Sequence, residues 1–132
     1  MTQLRIGDAA RFLGVSDDTI RRWISDGRLR ADKDASNRSV VDGAELVVLA
    51  QESFDSLDPT HVRSSARNRF TGLVTDVVID GVMAQVSLQC GPFRVVSLMS
   101  AEACRQLELE PGSLATAAVK AAMVWIDTVG EA

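Results

Sequence analysis

The spacing of apolar residues changes character midway along this 132-residue chain, and that change constrains the fold more than any single motif. Up to about residue 53 the apolar residues recur at helical spacing: Ala9, Phe12 and Leu13, then Ile20, Trp23 and Ile24, then Leu46, Val47, Leu49 and Ala50. From Phe70 onward β-branched residues dominate, with Val74, Thr75, Val77, Val78 and Ile79, then Val82 and Val86, then Val95 and Val96. Asp80-Gly81 and Cys90-Gly91-Pro92 punctuate those runs as turns. Between the two textures lies Asp55-Ser56-Leu57-Asp58-Pro59-Thr60-His61, which has the composition of a linker. The expected organisation is α+β in two domains, 1–53 and 64–132, joined by a linker over 54–63. Domains this small bury little of their surface, so a homo-oligomer is expected.

Charge follows the same division. The chain totals −4, which by itself argues against nucleic-acid binding. Residues 1–40 carry eight Lys/Arg against six Asp/Glu, a net of +2, whereas residues 41–60 carry five acids and no base. Residues 61–132 carry six basic and seven acidic residues. The first domain is therefore mildly basic. Several function classes drop out on composition. No stretch approaches the roughly 18 apolar residues of a membrane span, and the N-terminus lacks a signal-peptide core, so a cytoplasmic protein is expected. Cys90, Cys104 and the single histidine, His61, are too few for a zinc site or a Ser-His-Asp triad. With no acid/base pair standing out, no enzyme, redox cofactor or bound metal ion is expected.

In the first domain a helix starts near Gly7 or Asp8 and ends at Gly14, which can adopt positive φ. Ser16 can cap a second helix, with Asp17 and Asp18 in its first turn and Gly27 at its end. Ile20, Trp23 and Ile24 form its buried stripe, leaving Thr19, Arg21 and Arg22 outward. Arg28-Leu29-Arg30-Ala31 can form a strand and Asp34–Arg38 a turn at its tip. A third helix runs from Asp42 or Gly43 to Glu52. Two helices around a glycine turn, with paired outward arginines, make the helix-turn-helix plan, whose second helix enters the major groove of double-stranded DNA. An arginine fork can meet guanine edges or phosphates there.

The run Ile6-Gly7-Asp8-Ala9-Ala10, Leu13-Gly14-Val15-Ser16, Thr19-Ile20-Arg21-Arg22-Trp23 and Gly27-Arg28-Leu29 resembles the MerR/excisionase-type winged helix-turn-helix. That resemblance implies DNA contacts from Thr19, Arg21, Arg22 and Arg38. With Ser16 at the helix start and Arg28 and Arg30 on the wing, the candidate DNA-binding set is Ser16, Thr19, Arg21, Arg22, Arg28, Arg30 and Arg38.

The second domain contains several short strands, a helix from Ala101 to about Leu107 capped by Ser100, and the turn Glu110-Pro111-Gly112. Ser65-Ala66-Arg67-Asn68, Gly72, Leu98-Met99-Ser100, Leu107–Gly112 and Val119-Lys120-Ala121 resemble the TOBE/Mop (molbindin) domain. The resemblance implies a five-stranded OB-like β-barrel with one short helix, binding molybdate and often tungstate between subunits; stand-alone domains of this kind resemble hexamer builders, whereas a two-fold dimer would suit palindromic DNA. A tetrahedral dianion needs convergent donors, and Arg67, Lys120, Ser65, Ser100 and the Ala66 and Ala121 backbone N–H groups qualify. Arg67 and Lys120 lie 53 positions apart in sequence, so one site completed by two chains is expected. Ala103 and Ala122 stand where the family commonly has hydroxyl residues. Together the two domains suggest a one-component, oxyanion-responsive transcriptional regulator. The rivals are a molybdate storage oligomer whose head serves assembly, and a constitutive DNA-binding protein with a degenerate barrel.

Overall fold

The structure, a computed structural model, describes residues 2–53, 60 and 62–129. The chain divides into two compact units, residues 1–56 and 57–132. Most of the expected linker, and His61 with it, lies outside the described residues. Among the described residues no helix is long and apolar enough to cross a membrane.

The first unit runs β1 (Gln3–Arg5), α1 (Ile6–Leu13), α2 (Asp17–Ser25), β2 (Ala31–Lys33), β3 (Ser39–Asp42) and α3 (Gly43–Ser53). Helix α1 starts earlier than the sequence suggested. Its N-cap is Arg5, not Gly7 or Asp8, because β1 leads straight into the helix and Ile6 is already buried in the core. Gly14 ends α1 at φ +71, and its N–H and that of Val15 close onto the carbonyls of Ala10 and Arg11. Ser16 caps α2 by accepting the Thr19 N–H at 3.1 Å. After α2 the N–H groups of Arg28 and Leu29 both donate to Trp23 O. Those donors are then engaged, so the strand expected at 28–31 begins only at Ala31, opposite Val41. The sheet order is β1-β3-β2, all antiparallel. Ile20, Trp23, Leu29, Val41, Leu46 and Leu49 close the core beneath α1.

The second unit runs β4 (Asn68–Asp80), β5 (Met83–Cys90), β6 (Phe93–Ser100), α4 (Ala101–Gln106) and β7 (Leu114–Val119), with a short 3-10 helix at Ala121–Met123. Both tight hairpins carry glycine at the first loop position, Gly81 (φ +61) and Gly91 (φ +58), as two-residue loops between twisted strands require. The five-stranded barrel expected from sequence is not what the described residues form. They make four antiparallel strands in the order β6-β5-β4-β7. The physical reason is that β4 serves two partners. Its residues 68–73 pair with β7 and its residues 73–80 with β5, with a register shift between Val74 and Asp76. Gly72 sits where β4 passes close to β5. A Cβ there would fall against the Gln89 carbonyl oxygen and 2.8 Å from Cys90 Sγ.

The outer strands β6 and β7 do not pair with each other, yet both line one opening of about 430 Å³ with Val95, Leu109 and Thr116. The sheet thus curls without closing. Beyond the 3-10 helix, residues 124–129 carry no regular structure and leave Trp125, Ile126 and Val129 85–91% exposed.

Candidate DNA-reading face and oxyanion site

The outward face of α2 presents Asp18, Arg21, Arg22 and Ser25, because Ile20 and Trp23 turn the opposite face into the core. Arg21, Arg22 and, on the β2–β3 hairpin, Arg38 are exposed and in no ion pair among the described residues. Other members of the candidate set are otherwise engaged. Thr19 is half-buried rather than outward, and its hydroxyl lies 3.0 Å from that of Ser16, so this pair makes the helix cap. Arg28 pairs with Glu52 at 3.5 Å and Arg30 with Glu45 at 3.2 Å. Sequence reasoning missed these acids as partners, although their seven-residue spacing places them on one face of α3.

The hairpin tip is held by Asp34. Its Oδ1 accepts the N–H groups of Ser36 and Arg38, each at 2.9 Å, and Asn37 adopts φ +60. The Arg38 backbone N–H, opposed by desolvation and then helped by the Ser36 N–H and the charges of Arg5 and Arg38, holds the Asp34 carboxyl below its ordinary pKa. Arg38 therefore projects from a loop of defined shape.

In the second unit the β4–β7 register brings two of the candidate residues to one strand end. The last rung is Asn68↔Val119, and Arg67 and Lys120 are the next residue on each strand. The two cations, distant in sequence, thus flank one end of one chain's ladder, both exposed. Ser65 precedes them and is also exposed. Ala66 is less available than expected, since its N–H already donates to Ser64 Oγ at 3.1 Å. Ala121 opens the 3-10 helix, so its N–H belongs to a first turn that lacks intrahelical acceptors.

Ser100 is elsewhere. It pairs with Met83, which pairs with Asp80 at the opposite end of β4, roughly 40 Å along the strand from Asn68 at about 3.3 Å per residue. Its Oγ accepts the Ala103 N–H at 3.0 Å to cap α4, leaving the hydroxyl proton available to an anion. The six oxyanion candidates therefore fall at opposite ends of β4, with Ser100 at one end and the other five at the other.

A separate opening of about 560 Å³ between α1, β1 and α3 is lined by Leu4, Phe12, Leu46 and Val47 and by no cation. Cys90 and Cys104 are buried core residues. Among the described residues no group of His, Cys, Asp or Glu is placed to hold a metal ion.

The described residues thus form a helix-turn-helix unit followed by a unit with a curled antiparallel sheet. Comparison with known families agrees. The MerR family regulatory protein model matches residues 5–40, and the TOBE domain model matches residues 64–126. The chain carries a MerR-type helix-turn-helix region followed by a TOBE domain. No curated protein matches it. Among solved structures it is similar to a molybdate binding protein from Sporomusa ovata, with 27% identity, 51% of this chain and 100% of that chain covered, and a TM-score of 0.49. It is also similar to MopII from Clostridium pasteurianum, with 31% identity, 50% and 100% covered, and a TM-score of 0.47. The cytoplasmic molybdate-binding protein ModG, solved with molybdate bound, shares 37% identity over 48% of this chain and 46% of that chain, with a TM-score of 0.45.

Proposed function

We propose that this chain is a molybdate-responsive DNA-binding regulator, cytoplasmic and without enzymatic activity. The observation that carries the reading is the pairing of two modules in one chain. The head bears an exposed Arg21-Arg22 pair on a capped helix, and the TOBE domain brings Arg67 and Lys120 to one strand end. Arg67 supplies a fork and Lys120 a compact charge, while Ser65 and the Ala121 N–H donate to remaining oxygens of a tetrahedral dianion. Molybdate is the ligand, and tungstate has the same shape and charge. Binding leaves the oxyanion unchanged, so no base or nucleophile is needed.

Two chains complete a site when the Ser100 half of one meets the Arg67–Lys120 half of another. The exposed 124–129 segment, apolar at Trp125 and Ile126, can enter the partner's opening between β6 and β7. Homo-oligomerisation is thereby part of the reading. An oxyanion that bridges chains favours one arrangement of heads, and only such differential binding can regulate DNA occupancy. The pairing of Arg28 and Arg30 with Glu52 and Glu45 favours a second reading, in which the head serves assembly and the chain stores oxyanion.

A salt titration of duplex binding with and without sodium molybdate separates them. A regulator loses affinity steeply with salt and shifts its affinity with molybdate. Absence of any duplex binding at low salt refutes the regulator and leaves storage.

A further inference from the structure

The β4–β7 ladder ends where the candidate anion site begins, and one side chain spans that end. Asn68 Nδ2 donates to the Val119 carbonyl at 3.2 Å, a half-buried bond across the last rung. Only the amide nitrogen can face a carbonyl oxygen, so the side-chain orientation is determined. Arg67 and Lys120 stand one residue beyond this rung, where strand ends open most readily.

Each cation's backbone is also held on its far side. Ser64 Oγ accepts the Ala66 N–H before Arg67, and Lys120 O accepts the Met123 N–H at 2.9 Å after Val119. Those two turns fix each segment locally. Neither fixes one segment against the other. Among the described residues the Asn68–Val119 bond is the side-chain tie that crosses between them at this rung.

We infer that Asn68 is the positioning residue of the oxyanion site. It sets the separation of the Arg67 guanidinium and the Lys120 ammonium without touching the anion itself. A dianion bound by two cations needs both at once, and a mouth that opens forfeits the second contact. This inference rests on the oxyanion-binding reading above.

The test is calorimetric titration of the full-length chain with sodium molybdate, for the unaltered protein, Asn68→Ala, Arg67→Ala and the double variant. Asn68→Ala is expected to weaken molybdate binding about tenfold, in line with a lost hydrogen bond of roughly 1–1.5 kcal/mol. In the Arg67→Ala background the same change is expected to cost little, because the residue acts through that arginine. A purely structural role would give losses that multiply. Asn68→Asp, equal in size but without the donor, replaces the alanine variant should that fail to fold. Faster amide exchange at Lys120 and Ala121 in the ligand-free variant is the second readout. Unaltered affinity in Asn68→Ala, or multiplicative losses in the double variant, overturns the inference alone. No heat from the unaltered chain overturns the oxyanion-binding reading and this inference with it.

Discussion

Replacing Gly72 by alanine tests the geometry of the second unit at its tightest point. A Cβ at this position would stand 2.8 Å from Cys90 Sγ and would collide with the Gln89 carbonyl oxygen, whereas ordinary van der Waals contact begins at 3.4 Å. On the sulfur side alone β4 and β5 must separate by 0.6 Å, the difference between those distances. The oxygen belongs to the backbone and cannot swing aside as a side chain does. Both ladders of β4 meet at the next residue, since Leu73 pairs with Gln89 on one side and Leu114 on the other. A shift that relieves one therefore strains the other. The upper end of the overpacking range applies, about 3 kcal/mol, which lowers the melting temperature of a unit this size by roughly 12–24 °C. Differential scanning calorimetry at matched protein concentration measures it, with the head's transition as internal reference. An unshifted transition for the second unit would refute the close approach of β4 to β5.

Three other measurements probe the remaining features. Glu45→Gln with Glu52→Gln releases Arg28 and Arg30, and each new phosphate contact steepens the log–log salt dependence of duplex binding by about 0.9; an unchanged slope means that neither arginine reaches DNA. Asp34, whose folded pKa is depressed, supports the hairpin tip above the unfolded value near 3.9 and ceases to do so as pH falls through its lower folded value. A carboxyl titration followed by NMR should place the Asp34 midpoint below the ordinary aspartate value, and an ordinary midpoint contradicts the two backbone bonds. Trp125→Ser with Ile126→Ser removes two exposed apolar groups worth roughly 1.5–3 kcal/mol each if buried on assembly. Sedimentation should show dissociation at concentrations where the unaltered chain is associated, and equal mass would exclude that segment from the interface.

The legible parts of this fold are those whose signals are local. Gly14 and Ser16 announce a turn and a cap because positive φ and a short hydroxyl side chain act within three residues. The hairpin glycines act over the same range. Strand β1 is illegible for the opposite reason. It is three residues long and exists only by pairing with β3, some forty positions away. The engagement of Arg28 and Arg30 by α3 is tertiary, and no helical pattern foretells it. At the candidate oxyanion site the residue types are legible and their grouping is not. Register alone puts Arg67 and Lys120 just beyond the same rung and Ser100 at the other end of β4. The bulge at Val74/Asp76, which allows β4 to change partners, leaves no mark in a run of β-branched residues.

In the assembly proposed above, the edges of β6 and β7 left unpaired among the described residues, together with the exposed 124–129 segment, make each chain at once a donor and an acceptor. What two such chains do depends on reciprocity. If each inserts into the other, the exchange is isologous and stops at two, and those dimers can then stack into larger closed shells. If the insertion is relayed to a third chain, the result is a ring when the rotation closes and a filament when it does not. The free edge carries the usual hazard of sheet propagation in the meantime. Closure therefore protects as well as assembles, and dilution below the exchange constant would expose the edges to any other extended strand.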